Sequence, residues 1–171
     1  MPGHDIETRN GKWFRKQIEE LKKLQVRVGF QHGKESDGES GADIADIALW
    51  NEMGTEHSPS RPFLRQSVEN HKDQITAMCR AQLQSLAKGG ATAQKVLSGI
   101  GATQKGIIQY EIREGNFEPN APITIEGGWM RRKGGKPFYV KGKKSKRPLI
   151  DTGRMMQSVN FVIKPKGEES D

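Results

Sequence analysis

The sequence has very little cysteine, few aromatic residues and no long apolar run. Cys79 is the single cysteine among 171 residues, so an intramolecular disulfide is excluded. No stretch approaches the roughly 20 apolar residues that a membrane-spanning helix needs, and no apolar segment near the N-terminus suggests a signal peptide. We therefore expect a soluble protein that is made and used in a reducing compartment.

Apolar content is also low. Residues of hydrophobic types make up 33% of the chain, charged residues make up 29%, and the mean hydropathy is -0.78. A chain of 171 residues is long enough to bury about two thirds of its unfolded surface as one domain. With so few apolar residues, that core is thin or shared with partners. We expect a single α+β domain over residues 1–171 whose core is shared with other subunits.

The net charge of +7 comes from one segment. Residues 127–150 hold nine of the 28 lysines and arginines and no acid, which leaves 19 bases against 21 acids elsewhere. The nine are Arg131, Arg132, Lys133, Lys136, Lys141, Lys143, Lys144, Lys146 and Arg147. A stretch this rich in glycine and lysine predicts a flexible basic arm, an insertion over residues 127–147. The β-prone residues 136–140 predict one short hairpin within it, with a turn at Lys141-Gly142.

Hydrophobic periodicity predicts four helices before the arm. They span residues 12–23, 42–53, 62–87 and 91–113. The third and fourth form a helical hairpin joined by Gly89-Gly90. The apolar face of the second helix consists of Ile44, Ile47, Ala48 and Trp50. That of the third consists of Leu64, Val68, Ile75, Met78, Cys79, Leu83 and Leu86.

The glycines of the fourth helix carry a separate prediction. Gly99, Gly101 and Gly106 interrupt its interior, and each costs about 1 kcal/mol relative to alanine. We expect a bend there, or a close approach to another backbone.

Two segments at opposite ends of the chain alternate with period two, as strands do. Residues 25–31 and 158–164 each place apolar side chains on one face, and we predict that they pair in a small antiparallel sheet covered by the long helices. A short helix capped by Asp151 or Thr152 precedes the second strand. We also predict a further brief strand at residues 123–125 and a frayed tail at residues 165–171.

The search for catalytic or metal-binding chemistry finds little. The four histidines, His4, His32, His57 and His71, lie in separate segments, and the sequence contains no HExxH or CxxC motif. Asp43 and Asp46 share a helical face and could hold a cation or a proton-transfer pair, although acids that stabilise a helix N-terminus are the commoner case. Cys79 lies on an apolar stripe, as a core residue does.

Two ordered blocks resemble a known family. Residues 50–55 (WNEMGT) and 60–65 (SRPFLR) are similar to the E-x-G-T and R-P-F-L/M-R block of neck and tail-completion proteins of tailed bacteriophages. These are also called head-tail joining, minor tail-component or virion-morphogenesis proteins. Residues 148–154 (PLIDTGR) with Ser158 resemble that family's C-terminal L-x-D-T-G block. The similarity covers residues 26–31, 42–70 and 148–163. It departs at Met155, where leucine is usual, and in the basic insertion.

The resemblance implies an α+β fold and a structural role in the virion. It implies a homo-oligomeric ring, a hexamer, at the neck between the connector or head-completion proteins and the tail tube or terminator, assembled in the bacterial host cytoplasm. It implies no catalysis, and we expect no catalytic residues, metal or cofactor. A subunit with a thin core and a mobile arm suits such a ring, because interfaces substitute for a larger core.

Six residues of the two blocks are candidates for a subunit interface. They are Arg61, Pro62, Phe63, Arg65, Asp151 and Arg154. An arginine of the first block could pair with an acid of the adjacent subunit. Alternatively, Arg61-Pro62-Phe63 is a helix start whose phenylalanine anchors the turn in the core, and Asp151 is a helix cap.

The rival function is a nucleic-acid-binding module. The nine bases of the arm, with Trp129, Phe138 and Tyr139 between them, offer phosphate contacts and stacking surfaces. Passing DNA is also a possible partner of a neck protein, so the two functions do not exclude one another.

Overall fold

A computed structural model describes residues 8–38, 40–143 and 145–168. Predictions that fall on His4, Lys144 and the last three residues therefore lie outside the described residues. The described chain forms seven helices and four strands, which confirms the α+β class. In chain order they are α1 (Arg9–Lys23), β1 (Leu24–Gly29), α2 (Ile44–Met53), α3 (Phe63–Glu69), α4 (Lys72–Ala87), α5 (Ala93–Glu114), α6 (Pro122–Glu126), β2 (Gly128–Arg131), β3 (Pro137–Val140), α7 (Arg154–Ser158) and β4 (Asn160–Pro165).

The chain divides into two compact units. The first unit consists of three segments, which are the chain up to Gly29, residues Ser67–Ile107, and the chain from Asn160 onward. The second consists of Phe30–Gln66 and Ile108–Val159. Each unit contains one two-stranded antiparallel sheet, β1 with β4 in the first and β2 with β3 in the second. None of the described helices is long and apolar enough to cross a membrane.

The sheet of the first unit confirms the predicted pairing of the two distant extended segments. β1 and β4 are antiparallel, with Val26 opposite Ile163 and Val28 opposite Phe161. The segment after β4 is also tied to β1, because Arg27 Nη2 donates to the Glu168 carbonyl at 2.7 Å. The described part of the predicted tail therefore has defined hydrogen bonds to the sheet.

Helix α5 lies close against this sheet at one of the predicted glycines. A Cβ at Gly101 would stand 2.5 Å from Phe161 Cδ2 and 2.9 Å from Val26 Cγ2. The space beside Gly101 is thus filled by side chains of the sheet and not by a second backbone. The predicted hairpin of α4 and α5 is confirmed, with Gly89 at a φ of 78° in the turn. Its buried cluster contains Leu86, Ala91 and Val96, packed by Trp13, Ile18, Leu21 and Ile100.

The predicted continuous helix over residues 62–87 is wrong. The chain forms two helices, α3 and α4, separated at Asn70 and His71. Val68, predicted to face inward, is 52% exposed, whereas Ser67 is fully buried and its hydroxyl lies 3.1 Å from Gln104 Nε2. The apolar spacing runs on across the break, so periodicity carries no sign of it.

Two sequence predictions for the second unit are also wrong. Residues 123–125 form a turn of α6 instead of a strand, because Pro122 occupies its first turn and Gly127, at a φ of 78°, ends it. The predicted hairpin exists as β2 and β3, but its turn lies at residues 132–136. Gly142 instead lies at the hairpin base, where a Cβ would stand 2.5 Å from the Ile125 carbonyl oxygen.

Candidate functional site

The first sequence block is held together by the buried carboxylate of Glu52. Leu64 N donates to Glu52 Oε2 at 2.8 Å, and Arg65 donates from its backbone N at 3.3 Å and from Nε at 3.1 Å to Oε1. The acid near the end of α2 therefore satisfies the free amides at the start of α3, as a capping residue does. The cap of α3 thus comes from the preceding helix and not from a residue directly before Phe63.

Arg61 is a buried cation that fixes a loop of its own chain. Its Nε donates to the Glu118 carbonyl at 3.0 Å, and its Nη2 donates to Asn120 Oδ1 at 3.2 Å. Burial lowers the pKa of the Arg61 guanidinium, while Glu118 acts in the opposite direction. Asn120 continues the chain of contacts by donating to the Arg147 carbonyl at 3.4 Å. Arg61 thus fastens residues 118–120 and 147 to the first block.

The six predicted interface residues fall into two groups. Phe63 is fully buried, with its ring 6.0 Å from that of Phe30 in an edge-to-face arrangement. Arg61 is also buried, so both side chains contact the interior of their own chain. Pro62 is half-buried. Arg65, Asp151 and Arg154 are exposed. The interface role remains a prediction, and the exposed members are the ones able to meet a partner directly.

The second sequence block packs against α2. A cavity of about 150 Å³ lies where they meet, lined by Ile44, Ile47 and Asn51 on one side and by residues 148–149 and 151–155 on the other. Asp151 does not cap α7, because Gly153 occupies the cap position and Thr152 Oγ1 accepts from Arg154 N at 3.4 Å. The two blocks, about a hundred positions apart in sequence, therefore form one framework.

One lysine of the predicted flexible arm belongs to this cavity. Lys143 is half-buried and lines it, while its backbone N donates to the Thr124 carbonyl at 2.9 Å. Burial lowers the pKa of the Lys143 ammonium, against the opposing effect of Asp151. Arg147 is likewise engaged, donating from Nη1 to the Arg113 carbonyl at 3.1 Å. Lys143 and Arg147 therefore both have contacts within their own chain, Lys143 through its backbone and Arg147 through its side chain.

Asp43 acts as a helix cap. It accepts from Ala45 N at 2.8 Å and from Gly33 N, and these backbone hydrogen bonds lower the pKa of its carboxyl. His32 lies beside it, with Nδ1 3.8 Å from Asp43 Oδ2 and Nε2 3.7 Å from Asp46 Oδ1. The capping alternative for Asp43 is confirmed. No cluster able to hold a metal ion occurs in the described ranges.

An apolar ridge lies on the outer side of α2. It consists of Leu49, Trp50 and Met53, all at least half exposed, with Met53 at 65%. The prediction that Trp50 faces inward is wrong, since Ile44, Ala48 and Glu52 form the buried side. We call these three residues the α2 ridge. Asp46 shares their helical stripe one turn earlier, and Glu56 follows in the next loop.

A second group of exposed apolar side chains lies on the basic hairpin, Gly128–Val140. Trp129 and Tyr139 pair across its strands with ring centroids 5.6 Å apart, and Trp129 is 72% exposed. Met130 and Phe138 form the pair on the opposite face, with the Arg132 guanidinium 5.6 Å from the Phe138 ring centre. Arg131, Arg132, Lys133 and Lys136 are exposed around these rings.

One charge pattern was missed in the sequence and is clear once the fold is known. Residues 35–56, which contain α2, carry seven acids and no lysine or arginine. This segment is the counterpart of residues 127–150, with nine bases and no acid. Counting charge by segment for both signs, rather than for bases alone, would have found it.

No protein-family model, curated protein or solved structure matches this chain. The resemblance to phage neck proteins therefore rests on the two sequence blocks alone.

Proposed function

We propose that the chain is a structural subunit of a tailed-bacteriophage virion, a neck or tail-completion protein. Copies of it form a ring between the connector and the tail tube, as a tail terminator or head-tail joining protein. The protein is assembled in the host cytoplasm and ends in the neck of the particle. The observation that carries this proposal is the α2 ridge, because it places three large apolar side chains on the outer side of the helix that holds both sequence blocks together.

The use of the block residues supports a structural role. Glu52, Arg61 and Phe63 fix one local framework through a helix cap, a loop clamp and an aromatic contact. A rigid α2 is thereby able to present the ridge in a fixed geometry. Apolar surface of this kind on an otherwise polar protein marks an interaction site.

Deletion of the gene followed by electron microscopy of the particles tests the role. We expect filled capsids and separate tails in its absence, because the two halves lack their joint. Normal joined virions without the protein would refute the proposal.

Complementation with variants then connects the role to the ridge. Trp50→Asp should fail to restore joined particles, since it puts a charge into the apolar contact. The matched control is Leu83→Asp, a similarly exposed apolar residue on α4, which should restore them.

A further inference from the structure

We propose that the basic hairpin of one copy docks on the α2 ridge of the next copy, so that the subunits join head to tail. This inference rests on the proposed ring and names the surfaces that build it.

The hairpin exposes apolar side chains on both of its faces. An isolated two-stranded hairpin is marginally stable in water, and this one exposes Trp129 and Tyr139 on one face and Met130 and Phe138 on the other. Its base is held where Gly127 and Gly142 lie against each other. A partner surface with exposed apolar side chains would cover one of these faces.

The α2 ridge offers such a surface with the opposite charge. Asp46 lies on the same helical stripe and its side chain is 43% exposed, and Glu56 is exposed beyond the helix end. On the hairpin, no carboxylate pairs with Arg131, Arg132, Lys133 or Lys136 within the part of the chain that the structure describes. Opposite charges around two apolar centres guide association and set the register of an interface.

Two different patches on one subunit make a heterologous contact. Such contacts generate closed rings when the rotation between neighbours closes, and filaments when it does not. A symmetric dimer would need one self-complementary patch, whereas the hairpin has four bases and no acid, and the segment that bears the ridge, residues 35–56, has seven acids and no lysine or arginine. The observed surfaces therefore favour a head-to-tail contact over a symmetric dimer, and the proposed ring forms when the rotation between neighbours closes.

Nucleic acid is the competing occupant of the hairpin. A polyanion would neutralise the four cations and could stack on Trp129. It would leave the α2 ridge uncovered, and it would repel the acids beside that ridge. A second copy satisfies both surfaces at once, which is why we favour it.

Charge reversal on each surface tests the contact. The hairpin variant carries Arg132→Glu, Lys133→Glu and Lys136→Glu, and the ridge variant carries Asp46→Lys and Glu56→Lys. Arg131 is kept because its Nε holds the turn by donating to the Gly135 carbonyl. Matched controls are Lys12→Glu, Lys16→Glu and Lys95→Glu for the first, and Glu69→Lys and Asp73→Lys for the second. Circular dichroism checks that every variant folds.

Light scattering after size exclusion measures assembly. Each variant alone should assemble at least about tenfold more weakly than the wild type, because like charges meet at every junction. An equal mixture should recover wild-type assembly, since each copy then meets a neighbour of opposite charge on both sides. The controls should assemble like the wild type.

Several results would overturn the inference. Either variant assembling like the wild type, or a mixture that stays dispersed, would refute the hairpin contact while leaving the ring intact. If the hairpin variant assembles like the wild type but no longer binds single-stranded DNA that the wild type binds, the hairpin is a nucleic-acid-binding surface instead. A wild-type chain that stays monomeric would refute the ring itself, and with it the proposed function.

Discussion

Among single residues, Glu52 has a larger structural role than its position in the sequence suggests. It is an acid in a surface helix, yet it is buried and accepts hydrogen bonds from two backbone amides and one arginine. Glu52→Ala should lower the free energy of unfolding by about 2 kcal/mol, since it removes a charged cap and leaves two amides unsatisfied. Urea unfolding measures the difference.

The control for Glu52 lies on the neighbouring helix. Glu69 ends α3 and is exposed, so Glu69→Ala should change stability by less than about 0.5 kcal/mol. Equal effects of the two substitutions would show that the Glu52 cap contributes nothing specific.

At the scale of secondary-structure elements, two glycines of α5 differ sharply. A Cβ at Gly101 would clash with Phe161 and Val26 of the sheet, whereas a Cβ at Gly106 would meet nothing within 4 Å. Gly106→Ala should therefore stabilise the protein by up to about 1 kcal/mol through helix propensity. Gly101→Ala should destabilise it by about 1–3 kcal/mol, because overpacking exceeds that gain.

Thermal unfolding of the two alanine variants provides the measurement. Shifts of the melting temperature in opposite directions are expected. If both variants melt higher than the wild type, α5 does not lie against the sheet as described.

The elements that the sequence predicted well are those with a clear period and clear ends. β1 alternates, and β4 does so except at Val162, so the pattern indicated both strands and their pairing, and Gly54 marked the end of α2. The orientation of α2 was not predictable in the same way. Its apolar residues surround the helix, so periodicity could not separate the buried Ala48 from the exposed Trp50.

The candidate site was predicted only in part. The family resemblance of the first block selected Arg61 and Phe63, but the sequence could not show that their partners, Asn120 and Phe30, lie within the same chain. Such contacts depend on the path of distant loops, which local pattern does not record. The exposed hairpin aromatics were found because they stand among the bases, and a segment without acids is visible in any sequence.

At the scale of the whole molecule, the account depends on subunits completing one another. Two of the apolar surfaces that the described residues leave exposed, the α2 ridge and the basic hairpin, carry opposite charges. A protein with so little apolar content gains stability when such surfaces are covered in an assembly. The same surfaces would provide the mechanical joint of a virion neck.

Native mass spectrometry of the purified wild-type chain counts the subunits of the assembly. We expect one dominant species with a fixed number of copies of the 19.1 kDa chain, six if the resemblance to phage neck proteins holds. Monomers alone, at every concentration up to those used for assembly, would contradict it.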